Sequence, residues 1–323
     1  MEYRTLGRTG VKVSQLCFGT MSFGGDADEA TSAAMFKRCR EVGINFFDCA
    51  NVYSGGRAEE ILGKVMAGQR EELVITTKVF GATGKDINDR GLSRRHITRA
   101  VEASLKRLNT DRVDLLFVHQ FDSNTPVEET VRALDDLVHQ GKILYPAVSN
   151  WAAWQIAKAH GISAREHLAR FECIQPMYNL VKRQAEVEIL PFAQSEQVGV
   201  IPYSPLGGGL LTGKYSTKDK PDQGRLVQNK MYNKRYGDGM YYETAENFTA
   251  HAQEKGVHPA TLAVAWVMAH PAITAPIVGA RNVGQLEASL AALDVRMTPA
   301  WWKEIAALSY EPPLATDRSE EKG

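Results

Sequence analysis

Eight short apolar runs alternate with segments of helical periodicity, and polar residues follow several of the runs. Together these features predict a (β/α)8 barrel, with an open doubly wound parallel sheet as the alternative. The runs fall at residues 15–19, 45–48, 73–78, 113–119, 143–149, 172–175, 198–203 and 275–278. A chain of 323 residues accommodates one such barrel over 1–323 with insertions.

Residues 3–14, with Gly7-Arg8-Thr9-Gly10 between short β-prone pieces, read as a hairpin ahead of the main fold. Helical periodicity marks 30–42, 97–108, 127–138, 151–160 and 185–194. Arg57-Ala58-Glu59-Glu60-Ile61-Leu62-Gly63 reads as the first turns of another helix. Ser93 precedes a helix ending at Asn109, and Gly43 and Gly141 stand where helices stop before strands. In Thr125-Pro126-Val127-Glu128-Glu129, Thr125 is expected as the cap and Pro126 as the first helical residue. Residues 207–242, rich in Gly, Lys and Tyr, read as a long flap over the barrel mouth. Helices over 241–255 and 259–269 precede the last strand, and the polar tail 311–323 is expected to fray.

Lys+Arg and Asp+Glu each number 38, so no global basic field points to nucleic acid or an anionic membrane. Hydrophobic residues make up 44%, enough for a full core. Cys17, Cys39, Cys49 and Cys173 form no CxxC pair, which fits a reducing compartment and buried thiols. The start of the chain lacks an apolar signal core, and the apolar run 262–269 is too short to span a bilayer. A cytoplasmic protein is the expectation, and oligomeric state is left open.

In a barrel the chemistry gathers at the C-terminal ends of the strands. Asp48 and Tyr53 follow the second strand, Lys78 ends the third and His119 ends the fourth. Singly, each has a structural explanation: Asp48 as a turn cap, Tyr53 as packing, Lys78 as a rim lysine, His119 as a core histidine. Jointly they are equipment for protonating an oxygen as a carbonyl becomes an alcohol. A phenol titrates near 10. An adjacent ammonium is expected to lower that value, a carboxylate to hold the ammonium, and an imidazole to position the carbonyl. GxSxG, HExxH and a convincing carboxylate pair are missing, so neither hydrolysis nor a resident metal is expected. Hydride must come from a cofactor, yet no GxGxxG turn exists to bind it. The remaining strand ends offer Ser149-Asn150, Gln175, Tyr203-Ser204-Pro205-Leu206 and Val278-Gly279-Ala280-Arg281 instead. Amides and hydroxyls suit a carboxamide, Tyr203 offers a flat ring, and an arginine at a helix start suits a phosphate.

The order and spacing of Asp48-Cys49-Ala50-Asn51-Val52-Tyr53, Thr77-Lys78, Leu115-Leu116-Phe117-Val118-His119, Val148-Ser149-Asn150, Gln175-Pro176-Met177-Tyr178-Asn179, Tyr203-Ser204-Pro205-Leu206 and Val278-Gly279-Ala280-Arg281 resemble the aldo-keto reductases. Gly207-Gly208-Gly209-Leu210-Leu211-Thr212-Gly213-Lys214-Tyr215 is most similar to the branch of aryl-alcohol-dehydrogenase-like reductases and potassium-channel β subunits. The resemblance implies Tyr53 as proton donor in reduction and base in oxidation, Lys78 and Asp48 as its tuners, and His119 orienting the carbonyl. It implies NADP(H), in preference to NAD(H), held by Ser149, Asn150 and Gln175 at the carboxamide and Tyr203 at the nicotinamide. Ser204, Leu206, Gly208 and Lys214 would line the pyrophosphate, and Gly279, Arg281 and Gln285 the adenosine 2′-phosphate end. Gly19, Thr20, Met21, Asp48, Pro205, Leu210 and Ser289 complete the cofactor set. Where the family often has an acid and an asparagine against adenine, this chain has Ala288 and Ser289, with Glu287 facing elsewhere. Phe23, Phe80 and Trp151, with Met21, Gln120, Tyr53 and His119, would form an apolar pocket for a small carbonyl or alcohol, and Tyr232, Tyr236, Tyr241 and Tyr242 would either cover it or pack the flap. A nicotinamide-binding regulatory subunit with little turnover is the competing implication, and a non-redox barrel a third that leaves Tyr203, Arg281 and the tetrad unexplained.

Overall fold

The computed structural model describes residues 1–217 and 224–316. Eight parallel strands form one sheet: β1 (Cys17–Gly19), β2 (Phe46–Asp48), β3 (Val74–Val79), β4 (Val113–Val118), β5 (Ile143–Ser149), β6 (Cys173–Gln175), β7 (Gly199–Val200) and β8 (Ile277–Val278). β1 to β7 pair in sequence order, and β8 pairs with β1. The backbone amides of Thr274 and Ile277 donate to the carbonyls of Val200 and Pro202 at 2.9 Å each, joining the last two strands and closing the (β/α)8 barrel. The last two strands are shorter than the runs 198–203 and 275–278 that announced them, because Pro202 and Pro276 interrupt the ladder.

Strand periodicity divides the core in two. Cys17, Phe46, Val74, Leu115, Phe117, Ala147, Cys173 and Ile201 fill the barrel interior. Phe18, Phe47, Ile75, Leu116, Val148 and Ile174 face out, into the layer shared with the helices. The hairpin pairs Tyr3–Thr5 with Lys12–Ser14, and its Leu6 and Val13 belong to the interior cluster, so it plugs the barrel floor. That plug needs glycine at position 199, where a Cβ would come within 2.5 Å of the Leu6 Cδ1.

The helices around the barrel are α1 (Glu29–Glu41), α2 (Arg57–Val65), α3 (Arg94–Leu108), α4 (Val127–His139), α5 (Ala153–Glu166) and α6 (Ile189–Ser195). Ser93 caps α3 by accepting from the His96 amide, and Asn109 ends it in the left-handed region, as the sequence implied. At α4 the expectation fails by one residue. Pro126 itself takes the capping position with an extended ψ of 139°, and Thr125 donates instead to the Asp122 carboxylate at 2.8 Å. The helix read from 151 starts at Ala153 and runs on to Glu166, leaving Trp151 in the loop.

The stretch read as an unstructured flap contains a 3₁₀ segment at Gly207–Thr212, then α7 (Arg225–Gln228), α8 (Lys230–Tyr236) and the start of α9 (Gly239–Glu254). Asn229 and Asp238 cap the starts of α8 and α9. Such short helices carry too few turns to show a periodic apolar face. Part of that stretch, 218–223, lies outside the described residues, as does 317–323 of the tail; 311–316 has no regular structure. α10 (Pro259–Met268) precedes β8, and α11 (Val283–Leu290) follows it. A last helix the sequence did not announce, α12 (Pro299–Ala306), docks by stacking Trp302 on Trp266 with ring centroids 5.1 Å apart. Among the described residues, no helix is long and apolar enough to cross a membrane.

Candidate active site

The interior face of the barrel changes character toward the strand ends. Two residues beyond Phe46 stands Asp48; beyond Val74 come Thr76 and Lys78; beyond Phe117, His119; beyond Ala147, Ser149; beyond Cys173, Gln175; beyond Ile201, Tyr203. A period of two keeps each polar group on the face of the apolar residue beneath it. The barrel therefore supplies polar groups from six strands to one mouth.

Lys78 is fully buried, and its Nζ reaches Asp48 Oδ2 at 2.5 Å, the Cys49 carbonyl at 2.7 Å and the Tyr53 hydroxyl at 3.3 Å. The other carboxylate oxygen, Asp48 Oδ1, accepts from the Thr76 hydroxyl at 2.7 Å and from Gln175 Nε2 at 2.9 Å. Asp48 thus has a donor on each oxygen, as a buried charge requires. Thr20, expected at the cofactor, lies beneath this group, with its amide and hydroxyl both donating to the Asp48 carbonyl.

Tyr53 sits on a 3₁₀ turn, Tyr53–Gly56, in which Ser54 takes a φ of 48°. That region is costly for a side-chain-bearing residue. The Ser54 hydroxyl donates to the Phe23 carbonyl at 2.8 Å and secures the turn. Behind it, Glu59 of α2 is fully buried, accepting from the Thr77 hydroxyl at 2.5 Å and from Arg107 Nε at 2.7 Å. This ion pair fastens α2, and with it Tyr53, to α3 and to the strand carrying Lys78.

The electrostatics correct one expectation. Burial pushes the Tyr53 phenol up to about 12; the Lys78 ammonium pulls against burial, the Asp48 carboxylate works with it, and burial prevails. Tyr53 is therefore a protonated phenol at neutral pH. Burial alone would depress the Lys78 ammonium, but Asp48 and Tyr53 outweigh it and hold it above the ordinary lysine range. His119 is lowered to about 4, first by burial and then by Lys78, so its ring is neutral at pH 7. The Tyr53 and His119 rings meet edge to face with centroids 6.2 Å apart.

These groups open into a cleft of about 830 Å³. Its wall holds Gly19, Met21, Asp48, Tyr53 and His119, then Ser149, Asn150, Gln175 and Tyr203. Ser204, Pro205, Leu206, Gly208 and Lys214 continue it, and Gly279, Arg281 and Gln285 form its far end. The amide cluster is already bonded internally. Asn150 Nδ2 donates to the His119 carbonyl and to Ser149 Oγ at 3.0 Å each, while its Oδ1 accepts from the Tyr203 hydroxyl at 2.7 Å. Asn150, with φ 59°, and Ser204, with φ 58°, turn the chain sharply beside the mouth.

Several expected residues do not reach the cleft. Leu210 is a core residue. Ser289 is buried, and the neighbouring Ala288 lines the wall instead. Phe23 packs on Phe18, and Trp151 lies between Phe121 and Phe171; both are buried. Phe80 is half-buried against the helices, away from the wall. The aromatic pocket expected from these three is therefore not formed. Conversely, Gln120, Tyr232, Arg235 and His258 line the cleft. Of these the sequence had singled out only Gln120, with Tyr232 as an undecided flap residue. Arg235 and His258 carried no motif, because the short helix α8 and the cap of α10 gave no sign of where they fold.

Two features suit a dinucleotide. Gly207, Gly208 and Gly209 all have positive φ, and a Cβ at Gly208 would come within 2.7 Å of Tyr232, so this turn presents bare backbone beside Lys214. Farther along, Asn282 caps α11 by accepting from the Gln285 amide, and the Gln285 side chain returns to accept from the Arg281 amide. Arg281 Nε pairs with Asp26 at 3.0 Å, and Glu287 is turned outward onto Arg38. Glu287 is thus turned away from the cleft wall.

Comparison with known proteins agrees with this architecture. Residues 15–309 match the model of the aldo/keto reductase family. The chain is 38% identical over 327 residues to a "Probable voltage-gated potassium channel subunit beta" of Oryza sativa subsp. japonica, covering 98% of this chain and 99% of that protein. It is 39% identical over 309 residues to the "Uncharacterized oxidoreductase YrpG" of Bacillus subtilis (strain 168), covering 92% of each. A "Putative voltage-gated potassium channel subunit beta" of Schizosaccharomyces pombe is 35% identical over 97% of this chain and 95% of its own length. With its closed barrel and the groups gathered at the strand ends, the chain belongs to the aldo/keto reductase family.

Proposed function

We propose that this protein is an NADP(H)-dependent oxidoreductase that interconverts aldehydes or ketones and alcohols, with Tyr53 as general acid and base. The observation that carries the reading is a buried Lys78–Asp48 pair under the hydroxyl of a protonated Tyr53, beside a neutral His119. A reduced nicotinamide, when bound, supplies hydride to the carbonyl carbon. The protein's part is the oxygen. His119 orients the carbonyl by a neutral N–H donor. Tyr53 gives its phenolic proton to that oxygen as charge develops on it. The Lys78 ammonium, held in place by Asp48, stabilises the phenolate left behind. In the oxidation direction the same phenolate takes the alcohol proton.

Ser149, Asn150 and Gln175 would hold the carboxamide by exchanging some of their present hydrogen bonds. Tyr203 would take the nicotinamide ring, the Gly207–Gly209 turn and Lys214 the pyrophosphate, and Arg281 the 2′-phosphate. Arg281 favours NADPH over NADH by charge. The test is a panel of aldehydes, ketones and alcohols with NADPH/NADP+ and NADH/NAD+ in both directions. Loss of nicotinamide absorbance with NADPH and a simple aldehyde supports the reading; cofactor binding without turnover of any carbonyl or alcohol contradicts it. That second result would favour the other reading, a regulatory subunit, which the names of the Oryza sativa and Schizosaccharomyces pombe relatives raise. Copurification with a potassium channel would then be the decisive observation.

A further inference from the structure

The charged groups on the cleft wall are unequal. Lys78 beneath it is neutralised by Asp48, and Arg281 is paired with Asp26. Lys214 stands beside the glycine turn, with its ammonium 5.4 Å from the Tyr215 ring centroid. Arg235 differs. It lines the same cleft as Tyr53 and His119, yet among the described residues no carboxylate pairs with it and no hydrogen bond engages its guanidinium. Its guanidinium carbon lies 5.4 Å from the Tyr232 ring centroid, and Tyr232 is itself stacked on Tyr236 with centroids 6.5 Å apart. Stacking on an aromatic face positions the fork without occupying its five N–H donors. Burial raises the Tyr203 and Tyr236 phenols, and the charge of Arg235 opposes burial at both. The positive charge is therefore felt on the side of the cleft where Tyr203 stands. From the Tyr203 hydroxyl only two hydrogen bonds, through Asn150, lead to the His119 backbone.

We propose that Arg235 binds a carboxylate borne by the carbonyl substrate, so that the preferred substrates are oxo acids in which the aldehyde or ketone meets Tyr53 while the acid meets Arg235. This rests on the oxidoreductase reading above. The chemistry Arg235 offers, a planar fork for an anion, would equally suit a cofactor phosphate. The substrate is favoured because the cofactor phosphates already have Lys214, the backbone of the glycine turn and Arg281, whereas Arg235, stacked on Tyr232 in the cleft that also holds Tyr53 and His119, has no such assignment.

The test compares 4-carboxybenzaldehyde with its methyl ester, which has the same ring and aldehyde without the charge, in the wild type, Arg235→Gln and Arg235→Lys. The wild type is expected to prefer the acid in kcat/KM. Arg235→Gln should lose about 10- to 100-fold on the acid through KM and far less on the ester, the span of a charge-assisted hydrogen-bond pair. Arg235→Lys should recover part of the loss. Calorimetric binding of 4-(hydroxymethyl)benzoate and its methyl ester in the presence of NADP+ reads the same preference without turnover. If neither aldehyde is reduced, the oxidoreductase reading fails, and this binding arm still decides the role of Arg235. Equal handling of acid and ester by the wild type overturns the proposal. So does an Arg235→Gln variant that weakens NADPH and both compounds alike, which would place the arginine on the cofactor.

Discussion

Lys78 Nζ stands 2.5 Å from Asp48 Oδ2, with side-chain exposures of 0% and 3%. Ion pairs this deep cost desolvation that their mutual attraction only partly offsets, and losing one partner strands the other. Lys78→Met should therefore destabilise the fold by about 3–5 kcal/mol, since Asp48 keeps its charge without its counter-ion. The double variant Asp48→Asn/Lys78→Met should recover part of that loss. Urea unfolding of the two singles and the double checks this; additive losses would mean that the two groups are not coupled.

The acid–base reading fixes a pH dependence. Tyr53, raised to about 12, keeps its proton across the ordinary range, so reduction should be nearly flat from pH 6 to 9. Oxidation needs the phenolate, so its rate should climb with pH over the same interval. His119, lowered to about 4, contributes through stability as well. Between pH 6.5 and 4 the unfolded chain binds a proton that the folded imidazole refuses. The contribution is therefore complete above pH 6.5 and declines as pH falls toward 4. Melting curves should show His119→Asn losing less stability than the wild type over that acid interval.

Glu59 lies one layer behind the chemistry. Its carboxylate joins Thr77, next to Lys78 on the chain, to Arg107 of the neighbouring helix. Glu59→Leu leaves a partly buried guanidinium and a buried hydroxyl without their acceptor. A loss of about 3 kcal/mol in stability is expected, with kcat falling more than KM as the Tyr53 turn loosens. Thermal melts with steady-state kinetics separate these effects; an unchanged kcat in a folded variant would show that the clamp does not position Tyr53.

Much of this site was legible in the sequence, for a physical reason. Barrel strands show a period of two, and their ends are fixed by the apolar run itself, so Asp48, Lys78, His119, Ser149 and Gln175 could be placed by counting. Phe23, Phe80 and Trp151 could not, because whether a loop aromatic faces the cleft or the helix layer depends on packing between elements far apart in the chain. The same limit concealed Arg235 and His258, which reach the cleft from short or late helices without a periodic signature. The Tyr53 proton affinity was misjudged because it is a contest between Lys78 and burial, and burial becomes visible only once the barrel is closed.

At the far end of the cleft Arg281 is held by Asp26, an exposed pair of modest strength. Asp26→Asn should release the guanidinium and tighten NADPH by up to about fivefold, the equivalent of about 1 kcal/mol, with NADH unaffected. Fluorescence titration with both nucleotides tests this. Equal changes for the two would move Arg281 away from the 2′-phosphate.

The central claim is that Tyr53 moves the proton. Tyr53→Phe keeps the ring and its packing and removes only the hydroxyl that Lys78 reaches at 3.3 Å. The decisive measurement is single-turnover reduction of an aldehyde by the NADPH-loaded variant, with NADPH affinity measured on the same sample. A rate lower by on the order of 10²- to 10⁴-fold with affinity retained is the predicted result; a wild-type rate in a variant that still binds NADPH would contradict it.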